Sequence, residues 1–113
     1  MAKAPARPSV QQEVATRITR LMQKEPSPAR CVLEVENIVA GLRRDSDADP
    51  EQVLTWLEEL RDGFAEATEQ AAEAVDEVES GQKAERRKAE NAVVCLRQIS
   101  AAFGRALEEP ALA

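Results

Sequence analysis

The apolar residues of this chain form a mirror image about Ser80 and Gly81, and that arrangement leaves few folds open. Forward from residue 57, Leu57, Leu60, Phe64, Ala67, Ala71, Ala74 and Val78 recur at spacings of three and four, the repeat of one helical face. Backward from residue 106, Ala106, Phe103, Ile99, Leu96, Ala92 and Ala89 do the same. Leu57 pairs with Phe103, Leu60 with Ile99, Phe64 with Leu96, Ala67 with Ala92 and Ala71 with Ala89 as antiparallel neighbours. The residue numbers of each couple add to 159 or 160. Two long helices folded back on each other satisfy this pattern. So does one long helix crossing a second copy of itself.

Between Pro50 and Glu108 the only strong breaker is Gly81. One glycine costs a helix only ~1 kcal/mol, so it cannot force a turn. The apolar phase slips near residue 82, however, where Gln82 and Glu85 fall on the would-be seam. We therefore expect a coiled-coil-like hairpin over residues 50–108, turning at Glu79-Ser80-Gly81-Gln82. The alternative is a continuous helix of about 58 residues that pairs with another copy.

The rest of the chain has helix punctuation. Ser9 and Gln12 form a capping box ahead of Val10, Val14, Ile18, Leu21 and Met22, which share one face. Pro26 and Pro28 stop that helix, and Ser27 caps a second one carrying Cys31, Val32, Val35, Ile38, Val39 and Leu42. Asp45-Ser46-Asp47-Ala48-Asp49 reads as a linker, after which Asp49 and Pro50 restart a helix. The expected organisation is a disordered tail over 1–8, a single domain over 9–108 and a tail over 109–113. The helices are expected at about 9–25, 28–44, 50–79 and 82–108.

Composition agrees with helix-on-helix packing. Trp56, Phe64 and Phe103 are the three aromatics, tyrosine is absent and only four glycines occur, which disfavours strands and tight hairpins. The expected fold is an all-α antiparallel bundle of about four helices. Its wide base has Val53, Trp56, Leu57, Leu60 and Phe64 facing Val93, Leu96, Ile99, Phe103 and Leu107, with Trp56 anchoring helices one and two. Beyond Phe64 the seam shrinks to alanine, which predicts a slender two-helix arm.

Charge is unevenly spread. Residues 1–24 carry five bases (Lys3, Arg7, Arg17, Arg20 and Lys24) against Glu13 alone, whereas the whole chain has net charge −6. In the arm, Glu69, Glu73, Asp76, Glu77 and Glu79 precede Lys83, Arg86, Arg87 and Lys88. The antiparallel register predicts pairs of Glu73 with Arg86 or Arg87, and of Asp76 or Glu77 with Lys83. Arg17, Arg20 and Lys24 form a basic stripe suited to an anionic partner, but the acidic body opposes nucleic acid.

Several chemistries lack their residues. With no histidine, a Ser–His or Cys–His nucleophile pair cannot be assembled, and the Glu-x-x-His motif of di-iron bundles is missing. Two cysteines without histidine do not make a zinc site, and no glycine-rich phosphate loop is present. No catalytic residue, metal or cofactor is expected. Cys31 and Cys95 read as buried free thiols of a cytoplasmic protein, although a disulfide between helices two and four is compatible with their positions. No stretch reads as a signal peptide or a bilayer span. The expected function is non-enzymatic: a helical interaction or assembly protein, either a homo-oligomer or a small adaptor subunit bound to another protein. The alternatives are a nucleic-acid-associated regulator using the basic N-terminal arm and helix one, and a chaperone of a protein partner.

Overall fold

The computed structural model describes residues 9–45 and 49–108. The tails expected over 1–8 and 109–113, and the centre of the 45–49 linker, lie outside them. The described residues form an all-α four-helix bundle of α1 (Val10–Met22), α2 (Pro28–Arg44), α3 (Pro50–Glu77) and α4 (Lys83–Glu108). None of these helices is long and apolar enough to cross a membrane.

Local chemistry explains where each helix begins. The Ser9 side chain accepts from the Gln12 amide at 3.1 Å, and the Gln12 side chain accepts from the Ser9 amide at 3.1 Å, completing the capping box. Ser27 accepts from the Arg30 amide at 3.2 Å, and Asp49 from the Glu51 amide at 3.1 Å. Pro28 and Pro50 follow these caps in the first turn, where the missing amide would have had no helical partner. The first helix stops at Met22, three residues short of the expected end. Its exit passes through Glu25, whose φ of 50° is left-handed, before Pro26 redirects the chain.

The hairpin is intramolecular. α3 ends at Glu77, α4 begins at Lys83, and the Gln82 amide closes the turn on the Glu79 carbonyl at 2.9 Å. Gly81 does not adopt a positive φ, so the turn does not require its conformational freedom.

Directions follow from contacts between elements. Val10, Val14 and Arg17 line one groove with Ile38 and Leu42, so α1 and α2 are antiparallel. Asn91 and Cys95 meet Pro26, at the start of α2, while Arg43 meets Ala106, so α2 runs parallel to α4. The chain therefore alternates up, down, up, down. α4 packs most extensively on α3 and next on α2. The core contains Val14, Ile18 and Leu21 of α1, with Cys31, Val35, Ile38 and Val39 of α2. α3 adds Val53, Leu57 and Leu60, and α4 adds Cys95, Ile99, Ala102, Phe103 and Ala106.

Arg43 Nη2 donates to the Ala106 carbonyl at 2.7 Å. Ala106 lies in the last turn of α4, where carbonyls lack a helical donor, so this side chain ties the end of α2 to the end of α4.

Candidate interaction surface

The core ends where the two short helices end. From Ala65 to Val94, through the distal half of α3, the turn and the first half of α4, no residue is fully buried. Ala67, Thr68, Ala71, Ala72 and Val75 on α3 are half-buried, as are Val78 just after it and Ala89, Ala92 and Val93 on α4. An alanine seam lets backbones approach but removes little apolar area from water, at about 25 cal/mol per Å². This arm is thus an exposed helical pair attached to a well-packed base.

The seam corrects one detail of the sequence reading: Ala74 is exposed, and Val75 takes the inward position. An α-helix turns 3.6 residues, so a strict 3.5-residue stripe drifts by ~20° per heptad unless the helices supercoil. By the end of α3 that drift has carried Ala74 out of the seam.

The expected ion pairs across the arm do not form. Among the described residues no salt bridge joins α3 to α4 there; Arg86 Nε instead pairs with Glu90 Oε1 on its own helix at 3.2 Å. Lys88 Nζ reaches Glu25 Oε1 at 3.4 Å, in the α1–α2 connection. The arm's acids and its remaining bases are left facing solvent.

The residues expected to form the assembly seam occupy different depths. Leu57, Ile99 and Phe103 have no exposed surface, and Leu60 retains 4%. Trp56, Phe64 and Leu96 are half-buried at the edge of this core. A hydrogen bond from the Gln11 amide group to the Glu59 carboxylate joins α1 to α3 one turn from Trp56.

The basic stripe on α1 is divided. Arg17 pairs with Glu34 of α2, a carboxylate that also has Arg30 Nη2 within 3.6 Å. Arg20 and Lys24 are exposed without an ion pair among the described residues. Glu34 is 8% exposed, a burial that its charge conceals in the sequence. The available signal was its position three residues after Cys31 and four before Ile38, at the margin of the apolar stripe.

Two concavities flank α4. A groove of about 270 Å³ has Val32, Val39, Ala102 and Ala106 in its lining, with Glu36 and Arg105 among its polar residues. An open cleft of about 630 Å³ lies where α2 begins, between Pro26 and Pro28 on one side and Ala84, Arg87, Lys88 and Asn91 on the other. Beneath it, the buried Pro26 carbonyl accepts from Asn91 Nδ2 at 3.2 Å and from Cys95 Sγ at 3.4 Å. Sequence reasoning missed Asn91, because a single polar residue in an exposed helix has no local pattern to identify it.

Cys31 and Cys95 are free and fully buried. Burial first, then the influence of Cys95, pushes the Cys31 thiol up to about 12. A thiol so protonated is a poor nucleophile. Among the described residues, no three His, Cys, Asp or Glu side chains come together in a group able to hold a metal ion. Comparison with family models, curated proteins and solved structures finds no match to this chain.

Proposed function

We propose that this chain is a non-enzymatic helical interaction protein whose α3–α4 arm is covered by a protein partner, either a second copy or a larger subunit. The supporting observation is the thirty-residue stretch from Ala65 to Val94 without one fully buried side chain. Most helical stability in proteins comes from tertiary packing, and the arm has little of it. Unpaired carboxylates along α3 and bases near the start of α4 supply orientation to a partner helix more than affinity. The two free thiols suit a reducing cytoplasm.

A photo-crosslinking side chain placed at Ala74 or Val94, with Ala15 on α1 as the control, tests this reading in cells that express the chain. Adducts confined to the arm positions support it. Equal labelling of the base, or none at the arm, removes it.

A second reading rests on Arg20 and Lys24, which remain exposed beside the engaged Arg17. An anionic partner, nucleic acid included, would use them. Salt-sensitive binding of an oligonucleotide that disappears in Arg20→Glu/Lys24→Glu would favour this reading over the first.

A further inference from the structure

The two helices of the arm carry opposite charge along their outer sides. On α3, Glu58, Asp62, Glu66, Glu69, Glu73 and Asp76 follow one another at spacings of three and four, and all are exposed. That spacing is one face of a helix, so these carboxylates form a single acidic stripe. On α4, Lys83, Arg87, Glu90, Val94 and Arg97 make a matching series, also exposed throughout. Its one acid, Glu90, is already matched by Arg86 on the same helix. Among the described residues, Glu66, Glu73, Asp76, Lys83, Arg87 and Arg97 take part in no ion pair.

Within one chain the stripes stand at matching heights but do not meet. From the Ser100–Arg61 contact, Arg97 is level with the gap between Asp62 and Glu66, Arg87 with Glu73, and Lys83 with the end of α3. Between the stripes lies a hairpin face that the short helices leave open. α1 reaches α3 at Glu59, and the start of α2 reaches α4 at Asn91 and Cys95. Roughly half a turn round from those contacts stand Leu54, Ala65 and Ala72 on α3 and Val93 on α4. Leu54 is 46% exposed, Ala65 is exposed, and Ala72 and Val93 are half-buried.

We propose that the occupant of the arm is a second copy of this chain, related by a two-fold axis along the arm, with α3 of each copy beside α4 of the other. This rests on the reading of the arm as a docking surface and names its occupant. A two-fold axis parallel to the arm preserves height, so each level match within one chain becomes a match between chains. Glu73 then meets Arg87 of the second copy, Asp76 meets its Lys83, and Asp62 and Glu66 bracket its Arg97. Each of these pairs is made twice. Leu54, Ala65, Ala72 and Val93 of both copies come together between the stripes and complete a four-helix seam. The apolar contact supplies adhesion, and the flanking charges fix orientation and partner. A different protein would have to carry both signs at the same heights; a second copy does so by symmetry.

The purified full chain is measured by sedimentation equilibrium at low and high salt, with helicity followed by circular dichroism. The expected parent species has twice the 12.4 kDa chain mass and dissociates as salt rises. One variant reverses the acidic stripe, Glu66→Lys/Glu73→Lys/Asp76→Lys, and another the basic stripe, Lys83→Glu/Arg87→Glu/Arg97→Glu. Every substituted residue is exposed, so both variants should keep the parental helicity. Each alone should self-associate about tenfold or more weakly than the parent. An equimolar mixture of the two should recover a heterodimer as tight as the parent dimer. A monomeric parent, or a parent dimer indifferent to salt, would overturn the pairing. Variants that dimerise as tightly as the parent, or that fail to rescue each other, would overturn it too. Arm crosslinks in cells to a chain of another mass, alongside a monomeric purified parent, would end self-pairing while the docking surface stands.

Discussion

Phe64 and Phe103 stack with ring centroids 5.8 Å apart and planes 12° from parallel, although their backbones are not opposite each other. The backbone register is marked by Ser100 Oγ, which donates to the Arg61 carbonyl at 2.9 Å. By that register Phe64 lies level with residues near 97, roughly two turns from Phe103. Side chains on a helix tilt toward its N-terminus. In an antiparallel pair these tilts converge, so the two rings lean toward one another and meet near the level of Arg61 and Ser100.

The stack predicts unequal costs for its two members. Phe103 is fully buried and Phe64 is at the edge. Phe103→Ala should cost about 3–5 kcal/mol, and Phe64→Ala about half as much, in urea unfolding followed by circular dichroism. Equal losses would contradict the packing.

The antiparallel pairing of α3 with α4 was legible in the sequence because a buried face repeats its own spacing, and the starts of α1, α2 and α3 each carried a capping side chain. The contacts between α4 and the first half of the chain were not legible. Asn91 to Pro26 and Arg43 to Ala106 join residues more than sixty positions apart through polar groups, and apolar periodicity is silent about those. The arm's charges misled for a different reason: exposed ion pairs are worth so little that a neighbour on the same helix, Glu90 for Arg86, displaced the expected partner.

Seam drift in α3 is testable at adjacent positions. Ala74→Glu should leave stability within about 0.5 kcal/mol of the parent, because residue 74 faces water. Val75→Glu should lower it by about 1–2 kcal/mol, as a half-buried valine is replaced by a charge. The order reverses if the seam keeps a strict heptad.

At the hairpin turn, Gly81 has no positive φ, and no neighbouring atom lies within 4 Å of an added Cβ. Gly81→Ala therefore reduces unfolded-state freedom without strain. Stability should rise by about 0.4–1 kcal/mol, read as a higher urea midpoint at unchanged slope. A fall of that size would mean the turn depends on glycine after all.

The Cys31 thiol gives a pH signature. Its value in the folded chain, about 12, lies above the ordinary thiol value of 9.0. The folded state therefore retains a proton that the unfolded chain releases. The associated stability is complete below about pH 9 and declines as pH rises toward 12. Parent and Cys31→Ala should be compared by urea unfolding under reducing conditions. The parent should lose stability more steeply between pH 9 and 11, and parallel curves would refute the assignment.

The bundle closes on its fourth helix. Cys95, Ile99, Ala102, Phe103 and Ala106 complete a core whose other residues, from α1 to α3, are made earlier. During translation, at roughly 5–20 residues per second, those earlier helices have only sparse contacts with one another until α4 emerges. Premature termination anywhere before Ile99 would yield amphipathic helices with an open apolar face, the kind of product that quality-control proteases remove. Emergence of α4 and acquisition of a stable fold are therefore nearly the same event.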